Sequence, residues 1–96
     1  MSSHPHHEVK VKISDETLRG SYANTLLVAH TAEEFVLDFI LTLPPQAVCN
    51  ARVLIHPGHL KRVIHALQQN LARYEAAHGT VTAAPDPGPG GIGFTN

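Results

Sequence analysis

Residues Ser21 to Glu75 form one continuous block in which three apolar runs of β-type residues precede a single amphipathic stretch with helical spacing. This block constrains the fold more than any other feature. Its strands are apolar on both faces, and a strand of that kind needs cover on both sides. One helix can shield only one layer. A chain built this way is expected to complete its core with a second copy of itself.

The runs are separated by polar turns. Tyr22 to His30 places Tyr22, Asn24, Leu26, Val28 and His30 on one face and Ala23, Thr25, Leu27 and Ala29 on the other. Thr31 to Glu34 then turns the chain; Thr31 and Glu34 also fit a capping-box spacing. The aromatic and β-branched residues that follow favour the turn. Phe35 to Leu43 is the strongest strand, with Phe35, Leu37, Phe39, Leu41 and Leu43 opposite Val36, Asp38, Ile40 and Thr42. Pro44-Pro45 stops it, and Pro44 to Asn50 is read as a loop. Ala51 to Ile55 is a short strand. Pro57 stands where a first helical residue belongs, after His56 in the cap position. A helix is predicted from about Pro57 to His78, with Leu60, Ile64, Leu67, Leu71 and Tyr74 as its stripe and Val63 widening it. Gly79 ends it. Ahead of the block, Glu8 to Ile13 alternates like an edge strand, and Ser14-Asp15-Glu16 is read as a turn, with Gly20 as a second break.

Composition limits what the rest can do. The chain has 96 residues, the length of one domain. Residues 1–7 are a Ser/His/Pro tail and 83–96 a Gly/Pro-rich tail, neither with enough apolar surface to offset the cost of ordering. Residues 8–82 remain as a single α+β domain, small enough that oligomerisation is a common remedy. Seven basic and eight acidic side chains nearly cancel, which argues against nucleic acid as a partner. The eight histidines make that balance depend on pH. One cysteine, Cys49, excludes an internal disulfide and suits a reducing cytoplasm. No apolar run reaches the ~20 residues of a membrane helix, and the amino end lacks the pattern of a signal peptide.

Several pieces of the block occur in a recognisable order: Tyr22-Ala23-Asn24, His30-Thr31, Glu33-Glu34-Phe35-Val36-Leu37-Asp38-Phe39, Ala51-Arg52-Val53, a Pro-x-His turn, and Leu71-x-x-Tyr74-Glu75 followed by Gly79. From Ser21 to about Val81 the chain resembles the small bacterial and archaeal proteins grouped as domain of unknown function 3467. The resemblance implies an architecture and no activity. The family's usual Ser or Thr before the helix proline is here His56.

Candidate sites are few. Removal of Met1 would leave Ser2-Ser3-His4, whose amine, two amides and imidazole supply the four nitrogens of a square-planar Cu(II) or Ni(II) chelate; His6 and His7 add further donors. His56, His59 and His65 lack the i, i+4 spacing of helical zinc ligands. Asp38, mid-strand between Leu37 and Phe39, needs a partner if buried, and Arg52, Asn24 and His30 on neighbouring strands are candidates. Cys49 has no base beside it in sequence. Lys61, Arg62 and Arg73 read as a solvated helix face.

The expectation is an antiparallel meander of three or four strands followed by one long helix across one face, completed by dimerisation. Its core would draw on Leu26, Val28, Phe35, Leu37, Phe39, Leu41, Val53, Ile55, Leu60, Ile64, Leu67 and Leu71. The association surface is expected on the side of Val36 and Ile40, with Asp38 and Arg52 as further interface residues. The function expected is that of a non-enzymatic, cytoplasmic homodimer or higher homo-oligomer that meets an unknown protein partner and needs no cofactor. The alternative is a binder of a small ligand, a metal at the amino end, or nucleic acid.

Overall fold

In the computed structural model, which describes residues 8–85, the elements follow the order α1 (Asp15–Arg19), β1 (Thr25–His30), β2 (Phe35–Leu43), β3 (Gln46–Ile55) and α2 (Pro57–His78). The strands form one antiparallel meander, β1-β2-β3, with β2 in the centre. Tight links make this order natural. Thr31 Oγ1 accepts from the amides of Glu33 (3.2 Å) and Glu34 (3.3 Å), and the Thr31 amide donates to the Glu34 carbonyl at 2.9 Å. These bonds close the β1–β2 turn as a side-chain-assisted turn rather than a helix cap.

Pairing fixes which residues share a face. Val28 opposes Leu37, which opposes Val53; Leu27 opposes Asp38, which opposes Arg52. Between Phe39 and Ile40 the register slips, so that Phe39 opposes Ala51 while Ile40 opposes Cys49. Asn50 is therefore the extra residue of a β-bulge, and its side chain donates to the Tyr22 carbonyl at 2.6 Å.

The fold differs from expectation at five places. Glu8 to Ile13 forms no strand and is exposed; alternation marks a face, but a strand also needs a neighbour to satisfy its backbone. Ser14-Asp15-Glu16 opens a short helix, because the Ser14 hydroxyl accepts from the Thr17 amide at 3.1 Å and two acidic residues occupy the first turn. The first strand begins at Thr25, not Tyr22. Ahead of it, Asn24 uses its side-chain amide like a piece of backbone, accepting from the Thr42 amide (2.8 Å) and donating to the Thr42 carbonyl (3.1 Å). The supposed loop Pro44 to Asn50 is a turn at Pro44-Pro45 and then the first half of β3, in which Val48 pairs with Leu41 and Ala47 with Thr42.

The fifth difference matters most. The long helix does not lie across the sheet. The substantial contacts between elements are β1 with β2 and β2 with β3, and α2 buries no residue. Among the described residues, the buried apolar ones are Leu37, Ile40 and Ile55. Ile64, Leu67 and Leu71, expected in the core, are exposed, as are Leu26, Val28 and Val53. Helical spacing alone cannot say against what a stripe is buried.

Helix α2 is nonetheless well bounded. His56 Nδ1 accepts from the Gly58 amide at 3.0 Å, so the imidazole fills the cap role usually given to a hydroxyl or carboxylate. At the other end Gly79 adopts φ 95° and donates to the Glu75 carbonyl at 2.8 Å; only glycine takes that conformation without strain. A 22-residue helix is about 33 Å long.

Candidate interaction surface

Three groups of side chains could carry function. The first is the stripe of α2. Leu60, Ile64, Leu67, Leu71, Tyr74 and His78 recur at alternating steps of four and three, which is the seam of a heptad. Leu60 is half-buried near the sheet. Beyond it Ile64, Leu67, Leu71 and Tyr74 are exposed, and Leu67 reaches 65%. The ring of Tyr74 lies 4.7 Å from that of His78, which extends the seam to the helix end. The alternating 4-3 spacing was present in the sequence; treating the stripe as cover for the sheet concealed what it otherwise suits.

The second group is the sheet face formed by Leu26, Val28 and Val53, exposed beside Leu37. It lies opposite the side on which association was expected. Val36 is half-buried and Ile40 only 1% exposed, so Ile40 belongs to the interior of the single chain and offers little surface to a partner. A contiguous apolar patch usually marks an interaction site.

The third group is polar. Asp38 is buried, and Arg52 meets it in two parallel bonds, Nε to Oδ1 at 2.7 Å and Nη2 to Oδ2 at 2.9 Å. The antiparallel register sets these two residues opposite one another and so selects Arg52 from the three partners open on sequence grounds. The bidentate geometry is the strong form of this pair. Hydrogen bonding from the guanidinium, opposed by burial and aided by its charge, holds the Asp38 carboxyl below its ordinary value. Arg52 is raised for the reciprocal reason. The Cys49 thiol donates to the Ala51 carbonyl at 3.5 Å and lies 4.0 Å from Asp38 Oδ1. Cys49 is therefore in a strand rather than a loop.

Two outcomes follow for the pair. The Arg52 side chain is largely exposed and can be hydrated, whereas Asp38 cannot. Arg52→Ala should therefore lower the denaturation midpoint more than Asp38→Asn does, because it strands a buried carboxylate. Folding also lowers the Asp38 pKa, so the folded state binds fewer protons than the unfolded chain in acid. The pair's contribution is present in full above the ordinary aspartate value of about 4 and is lost as pH falls through the lower, folded value. Chemical denaturation at stepped pH should show a steeper acid loss for the wild type than for Asp38→Asn; parallel curves would contradict it.

The remaining candidates are not brought together. His4, His6 and His7 lie outside the described residues. His56 is engaged in its cap, His59 and His65 stand apart on α2, and no group of three metal-binding side chains forms among the described residues. A groove of about 610 Å³ beside α2 is lined by residues of that helix alone, including His59, Arg62 and Gln69, and it is widely open. A second hollow of about 410 Å³ lies between the α1 segment and the sheet, with Phe39 and Ala51 among its lining residues. No helix among the described residues is long and apolar enough to cross a membrane.

An antiparallel meander followed by a long helix, whose seam is exposed among the described residues, defines a small α+β protein. The model of the DUF3467 family, described as "Protein of unknown function", matches residues 1–83, and the chain belongs to that family. The match extends to the amino end, beyond the Ser21 boundary drawn from the motifs. No curated protein and no solved structure matches the chain.

Proposed function

We propose that this protein is a non-enzymatic interaction module that works as a homo-oligomer in the cytoplasm and presents its assembled surface to a further protein partner. One observation carries the reading: among the described residues, nothing covers the apolar seam of α2. An isolated helix is marginal in water even at favourable composition, and packing of its apolar face normally stabilises it. Each exposed seam residue contributes on the order of 1–2 kcal/mol when covered.

Three reactive side chains support the non-enzymatic part. Asp38 is committed to Arg52, His56 to the Gly58 amide, and the Cys49 thiol to the Ala51 carbonyl. These groups hold structure in place.

Light scattering coupled to size-exclusion chromatography tests the reading. The mass should be a multiple of the 10.4 kDa chain and should hold on dilution into the micromolar range. A single-chain mass at millimolar concentration would overturn it.

A further inference from the structure

We propose that two copies of α2 pair antiparallel about a two-fold axis near Gln68 and Asn70, each closing the other's seam. The inference rests on the homo-oligomer reading above and names the surface and geometry it uses. In the 4-3 pattern Ile64, Leu71 and His78 occupy one seam position while Leu60, Leu67 and Tyr74 occupy the other. Paired antiparallel, these positions set Leu67 against Leu71, Ile64 against Tyr74 and Leu60 against His78, a largely apolar seam.

Charge selects the direction. Lys61 and Glu75 flank the same edge of the seam, equally far from Gln68, one basic and one acidic. The other edge carries Val63, Asn70 and Ala77, with no charge. Antiparallel pairing sets Lys61 of each copy against Glu75 of the other, twice by symmetry, and stacks Leu67 on Leu71. Parallel pairing sets neither charge against an opposite one. Glu75 keeps an oxygen for this contact, since the Val81 amide occupies only Oε2, at 2.8 Å. Exposed pairs of this kind add little affinity but fix orientation. The contact is isologous, so it closes with two copies.

Charge-reversed variants test the pairing. Lys61→Glu and Glu75→Lys should each weaken self-association about tenfold, since two attractive pairs become repulsive. When the two variants are mixed, native mass spectrometry should find the heterodimer in excess over both homodimers, because every facing pair is then Lys with Glu. A second arm uses a short bismaleimide in a Cys49→Ser background. Asn70→Cys should crosslink to itself across the axis. His78→Cys, whose two copies stand about 27 Å apart in this arrangement, should not. A dimer that holds its mass but shows no crosslink at Asn70→Cys, or crosslinks at His78→Cys, overturns the antiparallel pairing and leaves the homo-oligomer standing. A single-chain mass for the wild type overturns both.

Discussion

Replacing Leu67 and Leu71 together with lysine is expected to convert the protein to single chains. Both residues are largely exposed within the chain, so the substitutions remove little internal packing. Lysine and leucine have similar helix propensities, so the local preference of α2 is also preserved. What changes is the seam. A two-fold contact would lose four leucines at its centre, each contributing on the order of 1–2 kcal/mol when covered. The dissociation constant should rise at least about a thousandfold, visible as a fall to the single-chain mass in light scattering. The helical signal in circular dichroism should decline with it, beginning at the far end of α2, because the freed helix has only its own hydrogen bonds. Arg62→Ala with Arg73→Ala, on the other side of the helix, should leave the mass unchanged. An unaltered mass in the Leu67→Lys, Leu71→Lys protein would show that the seam is not the contact.

That outcome would bear on how the helix was legible in sequence. Its limits were plain from punctuation: Pro57 at the first turn, Gly79 past the last, and no breaker between them. Phe35–Leu43 was equally plain, since aromatic and β-branched residues end at a double proline. Both signals are local, and strong punctuation of this kind marks the bounds of these two elements. The beginning of β3 is obscured in sequence because Pro44-Pro45 reads as the opening of a loop, whereas it makes a turn. The bulge at Asn50 then shifted the alternation of Val48 relative to Val53, so the two halves of the strand did not look like one.

The surfaces were less legible, for a different reason. Alternation separates the two faces of a strand but does not say which face a neighbour covers. Ile40 and Val28 are equally apolar in sequence, yet Ile40 is enclosed and Val28 exposed. Asp38 stood out because a carboxylate between Leu37 and Phe39 needs a counter-charge, and register made Arg52 its partner. His56 stands in the cap position by sequence, and its ring nitrogen accepts from the Gly58 amide at 3.0 Å.

Ile40→Ala should produce the largest loss of stability from a single substitution. Ile40 is 1% exposed and sits in the central strand between Thr25 and Cys49. Removing most of its side chain forfeits transfer free energy and leaves a cavity, about 3 kcal/mol in total. In a domain of this length that is a drop in melting temperature of more than about 10 °C. Val28→Ala, on the exposed face, should cost the single chain far less. Ile40 and the pair Leu67 and Leu71 also separate the interior of one chain from the proposed contact between chains. An oligomer melts at a temperature that rises with protein concentration. The Ile40→Ala protein should melt lower at every concentration yet keep that rise, since its seam is intact. The Leu67→Lys, Leu71→Lys protein should lose the rise altogether. If Ile40→Ala instead abolished the concentration dependence while barely moving the melting temperature, Ile40 would be an association residue and the division between interior and seam would be wrong.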